Sequence, residues 1–356
     1  MKKIVMTGGG TAGHVTPNIA MLPRLRELGY EISYIGTYDG IEKKLIEDAG
    51  IPYYGISSGK LRRYFSLRNF SDPFRVIKGF RQAKKLMKKL KPDVVFSKGG
   101  FVSVPVVMAA SKRKIPIVIH ESDMTPGLAN KLALPKATKI CCNFPETAEN
   151  FEGRATVTGT PIRKELFNGN PDKAMKFCGF TEKRPTILIV GGSTGSAAVN
   201  SAIWEALDDL LKEYNVIHIC GENKTDASKN GISGYAQFEY VKQELADLFA
   251  LADLVISRAG ANAICELLAL RKPNILIPLS RAQSRGDQIL NAKSFEKSGY
   301  SKVIEEEELT KDVLLSAVHE TFGKKDTYIE AMSHTKERDA ITIITEMIDS
   351  LVKEKV

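Results

Sequence analysis

The sequence has no apolar run long enough to cross a bilayer. The longest, Val102 to Ala110, already includes Ser103 and Pro105 and falls far short of the roughly 18 residues a span needs. The apolar residues after Lys2 and Lys3 stop at a glycine turn, so no signal-peptide core is expected and the chain reads as a cytoplasmic protein. Cysteine is scarce: the five present, Cys141, Cys142, Cys178, Cys220 and Cys265, are odd in number and show no metal-ligand spacing. They read as small core side chains rather than as disulfide partners or zinc ligands. No Asp-x-Asp pair occurs, so a carboxylate-held metal for a nucleotide diphosphate is not expected. No Gly-Lys-Ser/Thr follows a glycine loop, which argues against a Walker-type phosphate site. Neither a metal nor a cofactor is expected.

Acidic residues are nearly missing from one segment. Between Lys60 and Lys91 twelve basic side chains stand against Asp72 alone, a net +11 that exceeds the +9 of the whole chain. Tyr64, Phe65, Phe70 and Phe74 are interleaved at its start. A basic surplus by itself suits nucleic acid, a membrane surface or an acidic substrate. Elsewhere the composition, 43% hydrophobic and 26% charged, is that of a globular protein, and 356 residues suggest two domains.

What the chain does have is glycine turns at strand ends. Lys3–Thr7 reads as a buried strand; it runs into Gly8-Gly9-Gly10-Thr11-Ala12-Gly13-His14 and then into a helical pattern with Ile19, Leu22, Leu25 and Leu28. Such a turn lets backbone approach a ligand closely and leaves N–H groups at a helix start for an anion or polarised oxygen. His14 sits at its mouth, with a ring that can accept a proton near neutral pH. The same letters match the dinucleotide fingerprint. That reading wants an acidic ribose ligand at the end of the second strand, and Glu31–Gly36 ends without one. A solvent-bonded histidine at a helix start is the plain alternative for His14.

Strands and helices then alternate: a helix over Ile41–Ala49, strands at Pro52–Ser57 and Asp93–Ser97 with a helix from about Arg75 to Leu90 between them, and a second glycine turn, Lys98–Ser103. Strands follow at Ile115–His120, Lys139–Asn143 and Ala155–Thr158. After the Gly/Pro connection Gly159-Thr160-Pro161 the pattern restarts. Thr186–Val190 leads into Gly191-Gly192-Ser193-Thr194-Gly195 and a helix; strands are expected at Val216–Cys220, near Phe238–Val241, at Leu254–Ser257 and at Asn274–Pro278. A terminal helix is expected from about Lys336 to Lys353, with Ile341, Ile344, Met347, Ile348 and Leu351 on one face. This is α/β alternation in two Rossmann-like domains with parallel sheets. Glycine turns at the carboxyl ends of strands in both imply a cleft between them, where a metal-free site must neutralise a diphosphate with helix N-termini and donors such as Ser193.

Taken together, Gly8–His14, Lys98–Ser103, His120-Glu121-Ser122-Asp123-Met124-Thr125-Pro126-Gly127, Gly191–Gly195, Arg258-Ala259-Gly260-Ala261 with Glu266, and Asp287-Gln288 resemble the motif series of the MurG family, the bacterial peptidoglycan N-acetylglucosaminyltransferases. The match runs in order from residue 3 to about residue 300. It implies GT-B architecture: an acceptor and membrane-facing domain over 1–160, with 336–356 packing back on it, and a UDP-sugar domain over 161–335. It implies inverting transfer of N-acetylglucosamine from UDP-N-acetylglucosamine to the 4-hydroxyl of the muramoyl sugar of lipid I, giving lipid II. His14 then matches the general base, and Thr11, Ala12 and Gly13 line the turn near both sugars. Arg163, Ser193 and Ala261 match donor contacts, Ser193 at the diphosphate. Val241 lies where backbone reads the uracil edge, Glu266 where an acid binds the ribose, and Asp287 and Gln288 where the sugar hydroxyls are read. Asp123 stands where the family has an asparagine on the donor sugar, and Phe101 where it has a tyrosine; an aspartate accepts a hydroxyl bond but cannot donate one. Each has a plainer reading: Glu266 as a first-turn acid favoured by the helix dipole, Arg163 as a linker residue, Gln288 as a helix-start residue, Ser193 as an N-cap.

The partners implied are the sugar nucleotide, lipid I, the anionic cytoplasmic face of the membrane and other cell-wall enzymes, with no nucleic acid. A lipid-linked acceptor stays in the bilayer, and the chain carries no lipidation motif, so a peripheral contact is expected at Leu61, Arg62, Arg63, Phe65, Arg68, Phe70 and Phe74, in the loop and first turn of the basic segment. Three other readings stay open on residues alone: a GT-B enzyme that glycosylates diacylglycerol, a nucleotide-sugar epimerase, and a basic nucleic-acid-binding protein. The last lacks a recognisable nucleic-acid module and leaves the glycine turns unexplained.

Overall fold

The computed structural model describes residues 1–59, 68–151, 153–192, 195–335 and 339–353, with the backbone alone over 68–73. They form two compact units, Met1–Arg163 with 338–356, and Lys164–Glu337. The division falls after Arg163 rather than after Thr160. Gly159 and Thr160 are tied back into the first unit, the former by a hydrogen bond from His120 and the latter by its own hydroxyl to Asn143. Arg163, expected in the second domain, therefore ends the first unit.

The first unit is a seven-stranded parallel sheet. Its strands are β1 (Lys2–Thr7), β2 (Tyr30–Thr37), β3 (Tyr53–Ile56), β4 (Val94–Ser97), β5 (Ile117–Glu121), β6 (Lys139–Cys142) and β7 (Ala155–Val157), in the order β3-β2-β1-β4-β5-β6-β7. Its helices are α1 (Thr16–Glu27), α2 (Ile41–Asp48), α3 (Arg68–Leu90), α4 (Ser103–Ser111), α5 (Leu128–Ala133) and α6 (Pro145–Glu149). Both faces are covered, which is why the strands are apolar without alternation. Successive side chains nonetheless go to opposite sides. Ile4, Met6, Val94, Phe96 and Val118 face Met21, Leu22 and Leu25 of α1, whereas Val5, Val95, Ile117 and Ile119 face Ala83 and Met87 of α3 and the valines of α4.

The terminal helix, Ala340–Lys353, lies on the α1 side: Ile341, Ile344, Ile348, Leu351 and Val352 are buried there with Met347 beside them. At about 1.5–3 kcal/mol per fully buried aliphatic chain, this face holds the last segment of the chain on the first. Asp349 strengthens the attachment by pairing with Lys2 and accepting from the Tyr30 hydroxyl at 3.0 Å.

The second unit is a six-stranded parallel sheet in the order β10-β9-β8-β11-β12-β13. After α7 (Pro171–Cys178) come β8 (Thr186–Val190), α8 (Ala197–Leu210), β9 (Asn215–Ile219), β10 (Tyr235–Phe238), α9 (Leu245–Leu251), β11 (Leu254–Ser257), α10 (Ala261–Ala269), β12 (Asn274–Leu276), α11 (Asp287–Lys297), β13 (Lys302–Val303), α12 (Lys311–Gly323) and α13 (Lys325–Ser333).

Two elements differ from the expectation. Helix α3 starts at Arg68, not at about Arg75, because it continues through Pro73, where a pattern reading stops at the missing N–H. Arg68, Phe70 and Phe74 are thus helical rather than in a loop. Strand β10 ends at Phe238, where a strand was expected to begin: pairing of Tyr235–Phe238 with Val216–Ile219 sets its register, and the apolar Val241 beyond it is buried without belonging to the sheet. Of the cysteines, all but the half-buried Cys178 are buried, and all five are free thiols.

Candidate active site

Thr7 of β1 and Ser97 of β4 are register partners, so the two glycine turns leave adjacent strands at one level. This is where the strand order reverses, the position at which open α/β sheets bind ligands. Lys98 N–H donates to the Thr7 carbonyl at 2.9 Å, and Gly100, at φ +85°, lies so close to Gly9 that a Cβ would sit 2.3 Å from its carbonyl oxygen. Only glycine fits there. The first turn is clamped from beneath: the Tyr34 hydroxyl donates to the Gly8 carbonyl (2.9 Å), and the Asn18 amide donates to the His14 carbonyl (3.2 Å).

The backbone cradle inferred for this turn is partly filled from within. Glu42, fully buried at the start of α2, accepts from Gly10 N–H (3.3 Å) and from the N–H (3.0 Å) and hydroxyl of Thr37. Its carboxylate takes the anion position that the glycines would otherwise offer. The sequence reading missed this residue, because an acid in a first helical turn ordinarily signals only the dipole.

His14 is half-buried in a single helical turn, with Nδ1 3.0 Å from the Lys98 carbonyl. A carbonyl only accepts, so Nδ1 carries the proton and Nε2 keeps its lone pair. Burial and then the nearby Lys98 charge lower the ring's pKa to about 4, against the opposing effects of the Lys98 carbonyl and Glu42. The ring is neutral at cellular pH. Thr11 is exposed beside it, and Ala12 and Gly13 are half-buried. Below Asp123, the buried Glu121 accepts from the Asp123 N–H (3.0 Å) and the Asn130 amide (2.7 Å), and burial raises its carboxyl to about 7. Asp123 and Phe101 are half-buried.

In the second unit the order β9-β8-β11-β12 places the starts of α8, α10 and α11 after three neighbouring strands. Ser196 caps α8 by accepting from Val199 N–H (3.3 Å), and the glycines before α10 and α11 supply no side-chain cap. Ser193 lies outside the described residues. Buried Arg258 binds these turns together: it donates to Ser196 Oγ (2.6 Å) and to the Ile277 and Pro278 carbonyls (3.1 and 3.2 Å), and it pairs with Glu306. The Arg258 turn is marked by its motif, but that its side chain is the tie shows only in the folded unit.

Ala261 is buried at the first position of α10, and Glu266 is the sixth residue of that helix, half-buried and past the first turn, so a first-turn dipole does not account for it. Gln288 accepts from Leu279 N–H (3.0 Å) through its carbonyl, which leaves its amide N–H groups available as donors. Asp287 takes both Arg285 contacts on Oδ2 (3.0 and 2.6 Å). Val241 is buried beside exposed Tyr240, and Arg163 has a buried Nε with no hydrogen-bond partner among the described residues. Leu61, Arg62, Arg63 and Phe65 lie outside the described residues, as do the side chains of Arg68 and Phe70; Phe74 is 75% exposed.

The Glycosyltransferase family 28 N-terminal domain matches residues 4–142 and the family's C-terminal domain matches residues 186–346. The chain belongs to glycosyltransferase family 28. Within that family it is 63% identical over 349 residues, 98% of this chain and 99% of the other, to the UDP-N-acetylglucosamine--N-acetylmuramyl-(pentapeptide) pyrophosphoryl-undecaprenol N-acetylglucosamine transferase of Lachnospira eligens. It is 64% identical over 352 residues, 99% of each chain, to the protein of the same name from Lachnoclostridium phytofermentans. Among solved structures, Acinetobacter baumannii MurG superposes with a TM-score of 0.78 at 26% identity, covering 98% of this chain and all of that one. This family 28 glycosyltransferase thus has the GT-B architecture of two Rossmann-like domains expected from its motifs.

Proposed function

We infer that this glycosyltransferase moves N-acetylglucosamine from UDP-N-acetylglucosamine to the 4-hydroxyl of the muramoyl sugar of lipid I, forming lipid II with inversion at the anomeric carbon. The observation that carries the chemistry is the His14 ring, held by the Lys98 carbonyl at the β1/β4 reversal with Nε2 as acceptor. Nε2 takes the hydroxyl proton as the oxygen attacks the anomeric carbon; the bond to UDP breaks on the opposite face, so one displacement inverts the centre. The first unit activates the acceptor. The second holds the donor: Glu266 takes the ribose hydroxyls, the backbone near Val241 takes the uracil edge, Ser193 and Ala261 contact the donor, and the starts of α8 and α10 favour the diphosphate charge; Arg163, at the end of the first unit, is also assigned to the donor. Asp287 and Gln288 read the sugar, with Asp123 accepting a sugar hydroxyl. Radiolabelled sugar from UDP-N-acetylglucosamine, offered to a short-chain lipid I analogue, should extend it by one hexosamine; transfer to diacylglycerol instead would overturn the acceptor assignment.

The donor assignment makes a separate prediction. A site that bonds a given hydroxyl rejects the analogue that misplaces it, since buried partners are left unmatched. The glucosamine donor should be preferred over its 4-epimer, and Gln288→Ala should narrow that ratio. Equal losses on both donors would make Gln288 structural through its bond to Leu279. Glu266→Ala should mainly raise the donor KM, and an unchanged KM would remove it from the ribose site.

The enzyme works as a peripheral protein on the cytoplasmic face of the membrane, where lipid I resides, and other cell-wall enzymes are natural neighbours there. No described helix is long and apolar enough to cross a bilayer. On α3, Ala83 and Met87 are buried and Phe80, Leu86 and Leu90 pack beside them, so that stripe belongs to the core. Phe74 and Ile77 are exposed, as are Arg75, Lys78, Arg81, Lys84, Lys85, Lys88 and Lys89. Each cation near an anionic surface contributes about 1 kcal/mol, and buried aromatic area adds binding that salt does not screen. The protein should cosediment with anionic vesicles and largely come off as the Debye length shortens from about 10 Å at 0.1 M salt to about 3 Å at 1 M. Replacing Phe65, Phe70 and Phe74 by serine should remove the salt-resistant remainder while activity on a soluble acceptor persists. Indifference of the wild type to such vesicles at low salt would end this reading.

A further inference from the structure

Lys98 is one of the largest fully buried side chains among the described residues. Its ammonium donates to His120 Nδ1 at 3.0 Å and to the Ser122 hydroxyl. His120 Nε2 is 2.9 Å from the Gly159 carbonyl, so that ring carries its proton on Nε2 and presents Nδ1 as an acceptor. The ammonium therefore ties the end of β4 to the end of β5 and, through His120, to the segment after β7. The carbonyl of the same residue receives His14 Nδ1–H, and its N–H reaches Thr7 at the end of β1. One residue thus connects the histidine turn to three other strand ends. An alkyl chain of similar size would fill the same space without the charge.

We propose that Lys98 is a positioning residue for sugar transfer: its anchored side chain holds the carbonyl that fixes His14 with Nε2 as acceptor, and its ammonium opposes a second positive charge on that ring. The charged or titratable groups around His14 are Lys98 from the β4 turn and Glu42 from α2, which act in opposite senses. Around Lys98 they include His14, His120, Glu121 and Cys141. The role rests on His14 being the base, and the readouts separate the two.

In ring-nitrogen NMR of ¹⁵N-histidine protein, His14 should hold the Nδ1–H form from pH 8 to about 5, the ordinary imidazole range included. In Lys98→Met the ring should exchange between tautomers and titrate higher, and the acid limb of kcat should move up by roughly 1 pH unit, as loss of a nearby like charge requires. The KM for UDP-N-acetylglucosamine should change less than about twofold, because only the positioned base is affected. A merely structural lysine would lower kcat evenly at every pH with the tautomer unchanged, and that result overturns the role. If Lys98→Met fails to fold, Ser122→Ala, which loosens the ammonium, should shift the limb in the same direction by less; no shift there is equally decisive against it. An active His14→Ala enzyme would instead remove the base itself. An inactive His14→Ala enzyme beside a Lys98→Met enzyme with the wild-type limb and tautomer would remove Lys98 alone.

Discussion

His14→Ala should lower kcat by about 10²–10⁴-fold while donor binding stays nearly intact, since an alcohol attacks well only as its proton leaves and a positioned base contributes that much. The expected split follows from location: the ring is on the first unit, and the residues assigned to the donor, apart from Arg163, Asp123 and the Thr11–Gly13 turn, are on the second. Turnover near wild type in steady-state assays would take His14 out of the reaction. In the wild type, the ring's lowered pKa keeps it neutral well below the usual imidazole range, so kcat should show no inflection near pH 6.5. The same lowering makes the fold sensitive to acid. Between about 4 and 6.5 the unfolded ring binds a proton that the folded ring refuses, so its contribution to stability is complete above pH 6.5 and is lost as pH falls toward 4. His120 and His218, also lowered by burial, act in the same direction. Glu121, raised to about 7, acts oppositely: its contribution is present at low pH and is lost as pH rises through 7.

Arg258→Met should be the most damaging substitution for stability. Both partners of the Arg258–Glu306 pair have side chains no more than 10% exposed, and removing one leaves a buried carboxylate whose other contact is the Gln283 amide. Breaking such a pair costs about 3–5 kcal/mol, and the Ile277 and Pro278 carbonyls lose their donor as well. For a unit of this size that is a fall in Tm on the order of 10 °C. It should appear in the calorimetric transition that UDP raises, because a ligand stabilises the unit it binds. The donor KM should rise with it, since Ser196, the start of α10 and the segment leading to α11 lose their common tie. A melting temperature within about 2 °C of wild type would mean that the pair contributes no more than a surface ion pair does.

The alternation of strands and helices, the two domains and the glycine turns were legible in the residues because each rests on local rules: apolar runs for strands buried on both faces, glycine at strand ends, and a 3.6-residue period in the terminal helix. The MurG-like motif series was legible for the same reason, as each motif is a contiguous strand end and turn. Errors fell where distant contacts override local preference. The placement of β10 depends on its pairing with β9, the helix over Arg68–Leu90 runs through Pro73 where the local rule stops it, and the short strand β13 has two residues, too few for any pattern to show.

The order and kind of the elements and the chemical types at the turns follow from side chains a few positions apart. How those types are used depends on contacts that the folded chain alone creates. Glu42 fills the cradle of the first glycine turn from 32 residues away, Lys98 fixes the tautomer of His14 across 84, and Arg258 joins Ser196 to Glu306. The physical reason is that a buried hydrogen bond or charge is matched by whatever group the parallel sheet brings alongside, and strand order, not chain distance, selects that group.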